Sequence, residues 1–86
     1  MEAVKHKVLC FWLSHMFLRR IGKRYPDFFV SWIADLTDNR RVQKVMALRY
    51  TGKNQMKFEA IALTMNISLR AVFDYHKKGL DAVIHG

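Results

Sequence analysis

The chain has 86 residues, of which 51% are hydrophobic and 13% aromatic, with one proline and four glycines. This length suits one small domain spanning residues 1–86, and the apolar content excludes a disordered or low-complexity chain. Fifteen lysines and arginines against seven acidic residues give a net charge of +8, which predicts a polyanionic partner for a folded domain.

The single cysteine and an apolar N-terminal stretch bear on where the protein acts. Cys10 has no second cysteine for an internal disulfide, which is typical of intracellular proteins. Residues Val8–Leu18 are uncharged, but this stretch is shorter than the about 20 residues that span a bilayer. Arginines follow it where a signal peptide would have small cleavage-site residues. We therefore expect a cytoplasmic protein without a membrane partner.

Apolar residues recur at helical spacing, and no segment alternates with the period of two that marks a strand. A first helix is predicted from about Ala3 to Gly22, and its broad apolar stripe needs cover from other helices, from a second copy of the chain, or from both. Pro26 suits the first position of a second helix, whose dipole Asp27 complements. This helix is predicted to place five apolar residues on one face: Phe28, Phe29, Trp32, Ile33 and Leu36.

Capping residues divide the rest of the chain into three helices. Thr37, Asp38 and Asn39 predict a third helix that begins near Arg40 and stops at Thr51-Gly52, where Gly52 can adopt the left-handed conformation. Its predicted apolar face is Val42, Val45, Met46 and Tyr50. A short fourth helix is expected to open at Asn54 or Gln55, with Phe58, Ile61, Ala62 and Met65 along it.

Ser68 is a good N-cap for a fifth helix, and its predicted inward residues are Val72, Tyr75 or His76, Leu80, Val83 and Ile84. Gly79 costs this helix about 1 kcal/mol relative to alanine, so the helix either ends near Lys78 or continues with the apolar period. The predicted fold class is all-α with about five helices. Residues 1–37 would form an aromatic-rich N-terminal helical pair, and residues 38–86 a helix-turn-helix unit.

The run from Phe58 to Lys77 fits the twenty-residue helix-turn-helix pattern. Ala62 occupies the offset where only a small side chain lets two helices touch, and Asn66 the offset where the turn needs a residue that tolerates positive φ. The five buried offsets are occupied by Ile61, Met65, Ile67, Val72 and Tyr75. The alternative is a helical hairpin with no role in DNA binding, and the high positive charge favours DNA.

Short motifs follow one another within residues 41–83: VMALRYTG at residues 45–52, then Ile61-Ala62, then Ile67-Ser68 with Val72, and finally Gly79-Leu80. Their order and spacing resemble the fourth conserved region of bacterial sigma factors and the small phage or mobile-element regulators built on that module. The resemblance implies a three- or four-helix domain whose last helix enters the major groove of DNA. It also implies a contact with RNA polymerase.

Four positions off the buried stripe of the fifth helix are candidates for base contact: Leu69, Arg70, Phe73 and Asp74. Arg70 is the strongest, because a guanidinium can bond guanine O6 and N7 together, which discriminates by about 1–3 kcal/mol. Leu69 and Phe73 can pack on thymine methyl groups or be buried against a protein partner. Asp74 can accept from cytosine N4 or disfavour incorrect sequences.

Six residues around the motif are candidates for phosphate contact: Arg49, Lys53, Lys57, Ser68, Lys77 and Lys78. Contacts from the five basic ones would give a log–log salt slope of about −4 to −5. Each basic residue taken alone also fits a solvated surface charge, and Ser68 fits a capping role alone. A second basic group, Arg19, Arg20, Lys23 and Arg24, either extends the DNA footprint or complements the C-terminal end of the first helix.

No motif predicts an enzyme, a cofactor or a metal. The acidic residues are scattered, and the chain has neither a glycine-rich phosphate loop nor a Gly-x-Ser-x-Gly turn. His6 and Cys10 are four residues apart and would share a helical face, but structural zinc needs four ligands.

Two function classes compete. The first is a DNA-binding transcriptional regulator that acts on double-stranded DNA, as a homodimer through its N-terminal helices. The second is a protein-interaction module that keeps the helix-turn-helix as a scaffold and binds RNA polymerase or a host factor through Leu69, Phe73 and the first helix. A membrane-surface peptide built on the basic, aromatic N-terminus ranks below both.

Overall fold

The computed structural model describes residues 15–52 and 55–85, and these residues form five helices and no strand. The first, α1, is helical from residue 15 to 24 within the described part of the chain. It is followed by α2 (Pro26–Leu36), α3 (Arg40–Tyr50), α4 (Phe58–Met65) and α5 (Leu69–His85). This confirms the predicted all-α class. None of the helices in these two ranges combines the length and apolarity needed to cross a membrane.

Local side-chain chemistry explains where three of the helices begin. Pro26 occupies the first turn of α2, where its missing N–H costs no hydrogen bond. Asn39 Oδ1 accepts from the backbone N–H groups of Arg41 and Val42, at 3.0 and 3.3 Å, and so caps α3. Ser68 Oγ accepts from the N–H of Ala71 at 3.1 Å and caps α5. The three predicted starts are confirmed.

Two helix boundaries differ from the predicted ones. The helix α1 continues past Gly22, and Tyr25 N–H donates to Ile21 O at 2.7 Å. The helix α4 begins at Phe58 rather than at residue 54 or 55, because Gln55 and Met56 bond back to α1 and α3 instead of starting a helical turn. For α5 the sequence left two ends open, and the helix continues past Gly79 to His85, with Gly79 buried against α3.

The core consists of two clusters of buried side chains that meet at α3. The first joins α1, α2, α3 and α5 through Leu18, Phe29, Ile33, Val42, Met46, Tyr50 and Leu80. The second joins α3, α4 and α5 through Val45, Ile61, Ala62 and Val72. Tyr75 packs against both clusters. Residues on both sides of position 37 therefore share one packing cluster, so the N-terminal pair and the helix-turn-helix pack as one body.

The predicted apolar face of α3 is confirmed, since Val42, Val45, Met46 and Tyr50 are all buried. On the predicted apolar face of α2, burial is uneven, and Phe28 is 60% exposed. Phe29 and Ile33 form the buried stripe of this helix, and Phe28 lies beside that stripe, stacked on Trp32 at a ring-centroid distance of 6.4 Å.

Two buried glycines mark close contacts with α3. A methyl group at Gly22 would overlap the backbone carbonyl oxygen of Tyr50. A methyl group at Gly79 would lie 2.5 Å from the Sδ atom of Met46, which is part of a flexible side chain. The helix α1 therefore touches the backbone of α3, whereas α5 touches a side chain that can move.

We expect Gly22→Ala to destabilise the protein more than Gly79→Ala does. In both helices alanine gains about 1 kcal/mol of propensity, and overpacking costs about 1–3 kcal/mol where neighbours can adjust. At Gly22 the neighbour is backbone, so we expect a net loss of about 3 kcal/mol in the free energy of unfolding, and a smaller change at Gly79. Urea denaturation of both variants measures the difference, and equal midpoints would contradict the close contact at Gly22.

Candidate nucleic-acid interface

The turn between α4 and α5 has the geometry that the sequence predicts for a helix-turn-helix. Asn66 adopts the left-handed conformation, with φ 54° and ψ 48°. Ile67 N–H then donates to Ala62 O at 3.0 Å, which closes the end of α4 in the manner of a Schellman turn. Ser68 follows at once as the cap of α5, so only three residues separate the two helices.

Buried side chains hold the two helices of this motif together. Ile61 and Val72 are fully buried in the second cluster, and Ala62 is 9% exposed. Met65, Ile67 and Tyr75 are half-buried and pack against the same cluster. Because Val45 belongs to it as well, α3 supports the motif from behind.

The four candidates for base contact share the outer face of the first turns of α5. Arg70 and Asp74 are exposed, and Leu69 and Phe73 are 37% and 46% exposed. The opposite face of α5 is buried through Val72, Gly79 and Leu80. The leading edge of α5 is therefore uncovered by the described residues.

Phe73 is anchored on one side although its other side is open. Its ring meets the ring of Phe58 edge-to-face, with a centroid distance of 5.0 Å. Phe58 lies at the start of α4 and also contacts the His76 ring at 5.0 Å. Phe73 thus lies at the border between the core and the exposed face of α5.

The candidates for phosphate contact have different surroundings. Lys57, Ser68, Lys77 and Lys78 are exposed around the motif, and Lys53 lies outside the described residues. Arg49 is half-buried; its Nη1 donates to Met56 O at 2.9 Å, and its guanidinium lies 4.4 Å from the centre of the Phe58 ring. Through these contacts, the Arg49 guanidinium binds the segment before α4.

A half-buried polar cluster, not predicted from the sequence, lies beneath the motif. Tyr50 Oη lies 2.8 Å from His15 Nδ1 and 2.6 Å from His76 Nε2, so one hydroxyl joins α1, α3 and α5. The hydroxyl can donate to an unprotonated nitrogen of one imidazole, which requires that this ring be neutral, while it accepts an N–H from the other ring. In the sequence, the only signal of this cluster is that each of three otherwise apolar helix faces carries a polar ring.

Burial controls the ionisation of the cluster. Desolvation, together with smaller effects of the neighbouring His15 and Arg49, lowers the pKa of His76 from 6.5 to about 4. Desolvation also lowers the pKa of His15, and the positive charges of Arg49 and Arg19 lower it further. The pKa of Tyr50 is raised by desolvation, so its hydroxyl keeps its proton at neutral pH.

The described residues contain no group of three histidine, cysteine, aspartate or glutamate side chains that is placed to hold a metal ion. The pair His6 and Cys10 lies outside the described residues.

Comparisons with protein-family models, with curated proteins and with solved structures found no match. The resemblance to the fourth region of sigma factors rests on the quoted motifs and stays a prediction.

We expect the histidine cluster to make stability depend on pH. The unfolded chain protonates His76 near pH 6.5, whereas the folded chain resists protonation until about pH 4. The stabilisation is therefore complete above pH 6.5 and is lost as the pH falls toward 4, by about 2–4 kcal/mol. Denaturant unfolding of the wild type and of His76→Gln across this range measures the effect.

The difference in unfolding free energy between wild type and His76→Gln should shrink as the pH falls, because glutamine does not titrate. His85→Gln, which removes an exposed histidine outside the cluster, is the control for the loss of an imidazole. A difference between wild type and His76→Gln that is constant from pH 7 to pH 4 would contradict the assignment.

Proposed function

We propose that this protein is a DNA-binding transcriptional regulator that inserts the leading edge of α5 into the major groove. The observation that carries the proposal is the exposed edge of α5 around Arg70, which directly follows a left-handed turn while the other side of the helix is packed on α3 and α4. In helix-turn-helix proteins the N-terminal residues of the second helix contact base edges in this way.

The side chains on this edge suit base contacts. The Arg70 guanidinium can donate two hydrogen bonds to guanine, and the exposed parts of Leu69 and Phe73 can pack on thymine methyl groups. Asp74 can accept from cytosine N4, or reject sequences that place a phosphate or an acceptor near it.

The charge of the protein suits the DNA backbone. The net charge is +8, and Lys57, Lys77 and Lys78 are exposed on or beside the motif. Lys53 is a fourth candidate for phosphate contact, and Arg49 is left out because its guanidinium makes internal contacts. Four phosphate contacts give an expected log–log salt slope of about −3 to −4. Ser68 Oγ accepts a hydrogen bond from Ala71, and its hydroxyl hydrogen remains available for a phosphate oxygen.

A second copy of the chain is the partner that we propose for the N-terminal helices. Phe17, Tyr25 and Phe28 are 54%, 55% and 60% exposed, and Ile21, Tyr25 and Phe28 line an apolar depression of about 380 Å³. We call Phe17, Ile21, Tyr25 and Phe28 the apolar patch. A single helix-turn-helix buries little surface, and two-fold dimers obtain specificity from two spaced half-sites, which favours self-association through this patch.

The alternative is a protein-interaction module that binds RNA polymerase or a host factor. The exposed apolar groups of Leu69 and Phe73 favour it, since uncovered apolar side chains also suit a protein partner. It would be supported by capture of RNA polymerase by a protein that shifts no duplex DNA.

We expect Arg70→Ala to reduce sequence discrimination. Loss of a bidentate guanine contact of about 1–3 kcal/mol corresponds to a loss of about 5- to 150-fold in affinity for the preferred site, with little change for other sequences. Selection from a random duplex pool defines the preferred site, and fluorescence anisotropy measures both affinities. Arg40→Ala is the matched control, because Arg40 is exposed at the start of α3. Equal enrichment by wild type and Arg70→Ala, or no enrichment by either, would refute the proposal.

We expect Phe28→Ser to weaken self-association. Removal of a central aromatic residue from an interface typically costs about 2 kcal/mol, so the dimer dissociation constant should rise about 30-fold. Sedimentation equilibrium measures this constant. Leu63→Ser is the control, since Leu63 is 84% exposed on α4 and does not belong to the apolar patch. A wild-type protein that stays monomeric at all accessible concentrations would contradict the dimer.

A further inference from the structure

A basic depression lies between α1 and the segment that leads into α4. Its volume is about 270 Å³, and it is lined by Met16, Arg19, Arg20, Lys23 and Gln55. We call it the α1 depression. Three of the five lining residues carry a positive charge, and none of the five carries a negative one.

Hydrogen bonds fix the floor of the α1 depression. Gln55 Nε2 donates to Arg19 O and to Tyr50 O, each at 2.9 Å. Gln55 Oε1 accepts from Arg19 Nε at 3.1 Å. A guanidinium has five N–H donors, so this bond orients Arg19 and leaves four donors for a ligand. The site is thus held in place before a ligand binds.

The dipole of α1 explains the position of only some of these positive charges. It favours cations within the last turn of a helix, which in α1 covers Lys23 and Arg24. Arg19 and Arg20 lie further from the helix end, and an anion bound between them and Lys23 would offset the repulsion among the three positive charges. The paired N–H groups of an arginine guanidinium can bind two oxygens of one phosphate group.

The position of the α1 depression relates it to the helix-turn-helix. Gln55 precedes the start of α4 at Phe58 by three residues, so their Cα atoms are at most about 11 Å apart. In helix-turn-helix complexes the first helix of the motif crosses the DNA backbone while the second lies in the groove. The helix α4 is that first helix, and Gln55, which lines the α1 depression, precedes its N-terminal end by three residues.

We propose that the α1 depression binds a phosphodiester group of the same DNA duplex, next to the groove that α5 enters. This inference rests on the proposed function. The DNA backbone would be bound by Arg19, Arg20 and Lys23, on the side of the motif away from the C-terminal end of α4. This contact would fix the angle at which α5 enters the groove.

The test compares two double variants that each remove two positive charges. Arg20→Ala/Lys23→Ala changes the α1 depression, whereas Arg24→Ala/Arg40→Ala leaves it intact, since neither Arg24 nor Arg40 lines it. Anisotropy titrations on the selected duplex across a series of salt concentrations give the log–log slope. We expect the first variant to lose about 1 to 2 from the magnitude of the slope, and the control to lose much less. Both variants should retain the enrichment of the wild-type sequence.

Ethylation interference on the wild type tests the inference without any variant. We expect phosphates outside those flanking the α5 groove to interfere when ethylated, and this interference to disappear with Arg20→Ala/Lys23→Ala. If the wild type binds with specificity but both double variants have the same slope and the same interference pattern, the α1 depression does not bind DNA, and the proposed function stands. If the wild type binds no duplex, the proposed function and this inference fail together.

Discussion

The structure depends on one buried residue, Tyr50. Its hydroxyl is hydrogen-bonded to histidines on α1 and α5, its ring packs against Phe29 of α2, and its backbone carbonyl accepts from Gln55. The same carbonyl leaves room for α1 only because residue 22 is glycine. Four helices and the segment before α4 are thereby fixed around one residue at the end of α3. A polar centre of this kind is stable only when its members are hydrogen-bonded, and desolvation lowers the pKa of both histidines in it.

The same contacts lead from the core to the candidate DNA-binding surface. Tyr50 bonds His76, the His76 ring touches Phe58, and Phe58 supports Phe73 at the exposed edge of α5. Aromatic rings packed in this order restrict how α5 can rotate against α4. A recognition helix that is already held in place loses less conformational entropy when it binds, which favours specific contacts.

The proposals assign different tasks to different faces of a small chain. The leading edge of α5 would contact bases, the α1 depression would hold a phosphate, and the apolar patch would join two copies. Arg49 shows that basic residues near the motif need not serve DNA, because its guanidinium is packed on Phe58 and bonded to Met56. Charge in the sequence indicates the type of partner, whereas contacts decide which cations remain available to it.

Local chemistry in the sequence determined the helix starts at Pro26, Arg40 and Leu69, the left-handed turn at Asn66 and the buried face of α3, because caps and turns act within a few residues. Of the candidate site, the sequence predicted which residues border the outer face of α5. Only the tertiary structure decided that Arg49 turns inward, that Phe28 faces outward and that α5 runs through Gly79. It alone brought together His15, Tyr50 and His76, which are separated by 35 and 26 residues. Such contacts follow from how helices pack, and helical periodicity specifies which face of a helix is apolar but not which helix will cover it.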